Sequence, residues 1–234
     1  MEEDMNTKLE NIYSKTMDYF IKNKDKDPEL FLKVGSDSEV GFAILYTPPI
    51  YNPKILICGQ NPGDFGYKWN DHYNQEMLNG SIPKVNSYTA GRNSVDYPFG
   101  FARFIRSQFD LTQERRKLLD EDTVGMNIWP LQYHGTPKIT KSRQEYFKNF
   151  HRNSIQVIRA INPKNIICLS VKAFDVINKE QATDVLVHEY GGRYSAKGYF
   201  GDIPVYLVGH PSSRTPVNLL RDELDKTISE IQSK

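Results

Sequence analysis

The apolar positions of the chain fall into two patterns. Four short runs are apolar at consecutive positions and rich in β-branched residues: 54–58 (KILIC), 123–128 (TVGMNI), 165–169 (NIICL) and 204–208 (PVYLV). Runs of this length and character predict strands covered on both faces, as in a parallel sheet. Between them the apolar spacing changes to three and four. Leu9, Ile12, Tyr13, Met17, Phe20 and Ile21 form one helical stripe, and Phe101, Phe104, Ile105 and Phe109 a shorter one. Tyr146, Phe147, Phe150, Val157, Ile158 and Ile161 form a third, ending at Asn162-Pro163. The last holds Val217, Leu220, Leu224, Ile228 and Ile231, with Thr215 expected as N-cap and Pro216 at the first helical position.

Strands alternating with helices predict an α/β fold: three layers, α/β/α, around a central four-stranded parallel sheet. No internal repeat or linker interrupts the pattern, so residues 1–234 read as a single domain. The stretch 67–97 departs from it. It is polar and without clear period, and it carries Tyr67, Trp69, Tyr73, Tyr88 and Tyr97. So long a stretch without regular structure is expected to be a lid or binding loop, or else a surface excursion.

Composition narrows the class. With 234 residues, 38% hydrophobic and 25% charged, the chain suits one globular domain. Cys58 and Cys168 each sit within an apolar run and lack metal-site spacing, so both read as reduced core residues. The acidic, polar start and the lack of a long apolar run point to a cytoplasmic protein with no membrane association. A net charge of +1 does not announce a nucleic-acid partner, which must be argued from local features.

In open parallel sheets ligands bind outside the carboxyl ends of the strands. The first strand delivers Gly59, Gln60 and Asn61 to that rim, the second Asn127 with Trp129 and Pro130 behind it, and the third Ser170. The fourth delivers Gly209, His210, Pro211, Ser212, Ser213 and Arg214. No Lys-Ser or Lys-Thr follows the glycines, so the first turn is no Walker loop. One imidazole and two amides make a poor metal set, and Ser212 and Ser213 lack the G-x-S-x-G context of a hydrolase nucleophile. Each rim residue also has a plain structural reading: an asparagine at a strand end commonly caps a helix or completes a turn.

Four stretches in order resemble the motifs of the uracil-DNA glycosylase superfamily, nearest to its single-strand-selective monofunctional group. These are GQNPGDFG from Gly59, YPFG from Tyr97, NIWPL from Asn127 and HPSSRTP from His210. The resemblance implies that family's fold and the hydrolysis of the N-glycosidic bond of uracil, or a related deaminated base, in DNA. On that correspondence Asn61 positions the attacking water and His210 donates a hydrogen bond to uracil O2 as charge builds there. Asn127 pairs with uracil O4 and N3–H, Phe99 stacks on the extruded ring, and Gly59, Gln60 and Gly63 line the base pocket. Ser212, Ser213 and Arg214 grip the DNA backbone ahead of the last helix, whose N-terminus favours phosphate. An alternative reading of Phe99 is a core aromatic opening the helix with Phe101 and Phe104.

The implied reaction needs no metal or cofactor. Its partner is DNA holding a damaged base, single- or double-stranded, with no obligate protein partner. Three departures from the pattern stand out: Gln60 replaces methionine, Asp64 replaces proline, and residues 67–96 are inserted where the family has a short connection. The alternative function is a glycosylase-like fold that binds nucleic acid, a nucleobase or a nucleotide without cleaving it.

Overall fold

A computed structural model describes residues 4–27, 30, 42–60, 80–89, 100–131, 140–179, 186–190, 193–209 and 216–234. Helix α1 (Met5–Asn23) opens with Asp4 accepting from the Asn6 amide. Strand β1 (Ile55–Gly59) follows, then helices α2 (Gly100–Phe109) and α3 (Gln113–Glu121), and strand β2 (Thr123–Asn127). Helix α4 (Gln144–Ile161) leads to β3 (Ile166–Cys168) and α5 (Val171–Lys179). Strands β4 (Leu186–Tyr190), β5 (Arg193–Phe200) and β6 (Ile203–Leu207) precede the last helix, α6 (Val217–Gln232).

The strands form one six-stranded sheet in the order β2-β1-β3-β6-β5-β4. The four expected strands are its parallel part: β1 pairs with β2 and β3, and β3 with β6. The expectation of a four-stranded sheet is corrected by β5 and β4, which extend it antiparallel beyond β6. Phe200 pairs with Ile203 across a two-residue connection whose first member, Gly201, has φ of 62°, as a primed hairpin turn requires. Tyr190 likewise pairs with Arg193 across two residues, which in the sequence are Gly191-Gly192.

Side-chain alternation along the parallel strands builds two cores. Leu56, Cys58, Val124, Met126, Ile166, Cys168, Val205 and Leu207 point to one face, where α1, α4 and α5 cover them. Ile55, Ile57, Ile167, Tyr206 and Val208 point to the other, under α2, α3 and α6. The sheet is therefore a middle layer between two layers of helix. Cys58 and Cys168 are register partners, buried and free, and burial pushes the Cys168 thiol well above its ordinary pKa, which disfavours the thiolate.

Local chemistry sets the helix ends. Helix α4 stops at Asn162, which takes the left-handed conformation (φ 54°, ψ 59°) before Pro163, as its sequence predicts. Thr112 caps α3 by accepting from the Arg115 amide at 3.2 Å. The last helix begins at Val217 with Pro216 as its N-cap residue, one position later than expected, and Thr215 lies outside the described residues. Ile21 and Val217, both counted in apolar stripes, are 54% and 44% exposed.

Candidate functional site

The carboxyl ends of the parallel strands lie level. Gly59 is the register partner of Asn127, and Cys58, Cys168 and Leu207 are successive partners across β1, β3 and β6. Helices α2 and α3, which follow β1, cover one face of the sheet, whereas α5, which follows β3, covers the other. Where neighbouring connections part in this way, an open parallel sheet leaves a crevice. Gln60 leaves the tip of β1 and Gly209 the tip of β6, two strand spacings apart, or about 10 Å.

Asn127 is fully buried on the face covered by α2, α3 and α6. Its Nδ2 donates to the Ala43 carbonyl at 3.1 Å, and its Oδ1 accepts from the Tyr46 hydroxyl. A carbonyl oxygen can only accept, so Ala43 decides which end of the amide is nitrogen. Tyr46 must then act as the donor. Among the described residues these two bonds leave one N–H of Nδ2 and one lone pair of Oδ1 unspent. Gly59 faces the same amide: a Cβ there would stand 3.1 Å from Asn127 Oδ1.

The segment that orients Asn127 carried no sequence expectation. Residues 42–47 are all buried and lie antiparallel along the outer edge of β2, bridging Phe42 to Leu131 and Leu45 to Met126. The Ala43 amide donates to Pro130 O and the Tyr46 amide to Gly125 O, each at 2.7 Å. The Asn127 amide returns a bond to Ile44 O at 2.7 Å. The Leu45 amide donates to the Tyr13 hydroxyl at 2.9 Å, tying the segment to α1. The available signal was the apolar run FAILY, which no turn residue breaks.

Part of the expected insertion is built into the body. Within 80–89, Tyr88 is fully buried, and the Ser87 amide donates to Tyr46 O at 3.1 Å. The Tyr88 ring rests on Gly125, where an added Cβ would meet it at 2.5–2.7 Å. Tyr88 is therefore not available to stack a base, which corrects its place among the loop aromatics. Lys84 is exposed.

Gln60 is half-buried, and its carbonyl accepts from the Trp129 amide at 2.7 Å. Trp129 turns into the opposite core, stacked on Phe147 at 3.9 Å and edge-on to His151. Ser170 serves the fold, since its Oγ accepts from the Ala173 amide at 3.0 Å and so caps α5. The structure thus brings Gly59, Gln60 and Asn127 together. Asn61, Gly63, Asp64, Phe99, His210, Ser212, Ser213 and Arg214 lie outside the described residues. Their described chain neighbours are Gln60, Gly100 at the start of α2, Gly209 and Pro216 at the start of α6.

Among the described residues no cluster of three His, Cys, Asp or Glu side chains could hold a metal ion, and no helix is long and apolar enough to cross a membrane. Comparison with protein-family models and with curated protein sequences finds no match.

Proposed function

We propose that this protein is a monofunctional DNA glycosylase that hydrolyses the N-glycosidic bond of uracil, or a related deaminated base, on a uracil-DNA glycosylase-like fold. The observation that carries the reading is the buried amide of Asn127, with one donor and one acceptor unspent at the strand rim. Uracil offers N3–H beside O4, the complement of that pair. Cytosine offers the reverse, and its wrong pattern would leave buried polar groups unpaired. The four motifs supply the rest by resemblance: Asn61 for the water, His210 for the developing charge on O2, Phe99 for stacking, and Ser212, Ser213 and Arg214 for phosphate. An amide at position 61 can orient water but not deprotonate it, which suits bond breaking ahead of water attack.

The test uses single- and double-stranded oligonucleotides carrying one uracil, hypoxanthine or xanthine. They are incubated with the protein, then treated with alkali to reveal abasic sites. Strand breaks at the damaged base are expected, reduced by about 10²–10³ in Asn61→Ala and in His210→Ala. Binding without breaks in any format would replace the enzyme by a binding module of the same fold.

A further inference from the structure

We propose that Tyr46 is a positioning residue that sets the base preference of this site by holding the Asn127 amide; the inference rests on the glycosylase reading above. An Asn side chain turns about a broad, roughly two-fold torsion, and a single hydrogen bond leaves its plane free to swing. Two bonds at opposite ends fix that plane. Ala43 O holds Nδ2 at 3.1 Å, and the Tyr46 hydroxyl holds Oδ1. Turning the amide over would set Oδ1 against the Ala43 carbonyl, acceptor against acceptor. The amide's nitrogen and oxygen ends are thereby held in one order only.

That order suits a base edge with C=O beside N–H, the lactam edge of uracil, hypoxanthine and xanthine. It rejects the amidine edge of cytosine and adenine, where an acceptor nitrogen lies beside an amino group. Deamination of cytosine or adenine converts the second edge into the first, so the pair Tyr46–Asn127 reads the change that those two lesions make. Tyr46 is itself immobilised: its amide donates to Gly125 O, and its ring packs 6.4 Å from that of Tyr88. Burial raises the phenol pKa, which keeps the hydroxyl a donor throughout the physiological range.

A double-mutant cycle tests this against a merely structural role. Single-turnover uracil excision is measured for wild type, Tyr46→Phe, Asn127→Ala and the double variant. If Tyr46 acts through Asn127, Tyr46→Phe slows excision about fivefold to tenfold in the wild-type background and less than about twofold beside Asn127→Ala. Equal slowing in both backgrounds overturns the positioning role and leaves the glycosylase reading intact. Should Tyr46→Phe not fold, 3-fluorotyrosine at position 46 replaces it in the same cycle. If the wild type releases no base, the glycosylase reading fails, and Tyr46 is judged by binding. Free uracil, and not cytosine, must then shift the Asn127 side-chain amide resonances of 15N-labelled protein, and Tyr46→Phe must abolish the difference. Identical responses in wild type and variant overturn the proposal.

Discussion

Ala43 O and the Tyr46 hydroxyl fix the order in which the Asn127 amide presents its remaining donor and acceptor. Among the described residues, each end of the buried amide makes one bond and keeps one in reserve, so a ligand can be bound without breaking those already made. Gly59 makes this testable from the other side of the amide. Its backbone tolerates any residue, but an added methyl would stand 3.1 Å from Asn127 Oδ1, so the amide must give way by a few tenths of an ångström. Gly59→Ala is expected to lower uracil excision about tenfold while costing less than about 1.5 kcal/mol of stability. Paired kinetics and thermal melts check this; a large loss of stability with unchanged excision would mean that the amide does not move.

At the scale of elements, the parallel part of the sheet was legible because its strands are largely buried on both faces and read as short, mostly apolar runs. Helices α1, α2, α4 and α6 were legible because each carries an apolar stripe at helical spacing. The misses have particular causes. Helix α3 (QERRKLLDE) is mostly charged, and Leu118 and Leu119 are its buried apolar contacts. Helix α5 spans nine residues, too few for its apolar spacing to announce it. Strands β4 and β5 sit at the margin of the sheet and mix polar with apolar positions; their legible signal was Gly191-Gly192 between two alternating stretches. Asn127 and Gly59 were legible as rim residues, whereas Tyr46 was not, because the strap at 42–47 finds its role only against β2. The same strap depends on Tyr88 lying on Gly125. Gly125→Ala would drive a methyl into that ring at 2.5–2.7 Å. It is expected to cost about 1–3 kcal/mol, read as a lowered denaturation midpoint. An unchanged midpoint would show that Tyr88 is not clamped there.

At the scale of the molecule, the two faces of the sheet divide the work. Asn127, Tyr46 and Gly59 stand on the α2–α3–α6 face, while Trp129, Phe147 and His151 close the other. His151 links that second core to pH. Burial first, and then nearby Lys172, lower its pKa from 6.5 to about 4. The unfolded chain therefore takes up a proton before the folded one as pH falls. His151's contribution is complete above about pH 6.5 and is lost as pH drops toward 4. Stability is expected to fall by about 1–2 kcal/mol between pH 7 and pH 5 from this group, and His151→Gln should flatten that slope in urea titrations. An equal slope in the variant would assign the loss to other groups. The central claim concerns the other face: that the Asn127 amide admits a lactam edge and refuses its amino counterpart. Its most direct measurement is single-turnover excision from single-stranded oligonucleotides that differ only in carrying uracil or cytosine at one position, with wild type and Asn127→Ala. The account predicts breaks at uracil alone, lost by about 10²-fold or more in the variant; equal uracil excision by both proteins would contradict it.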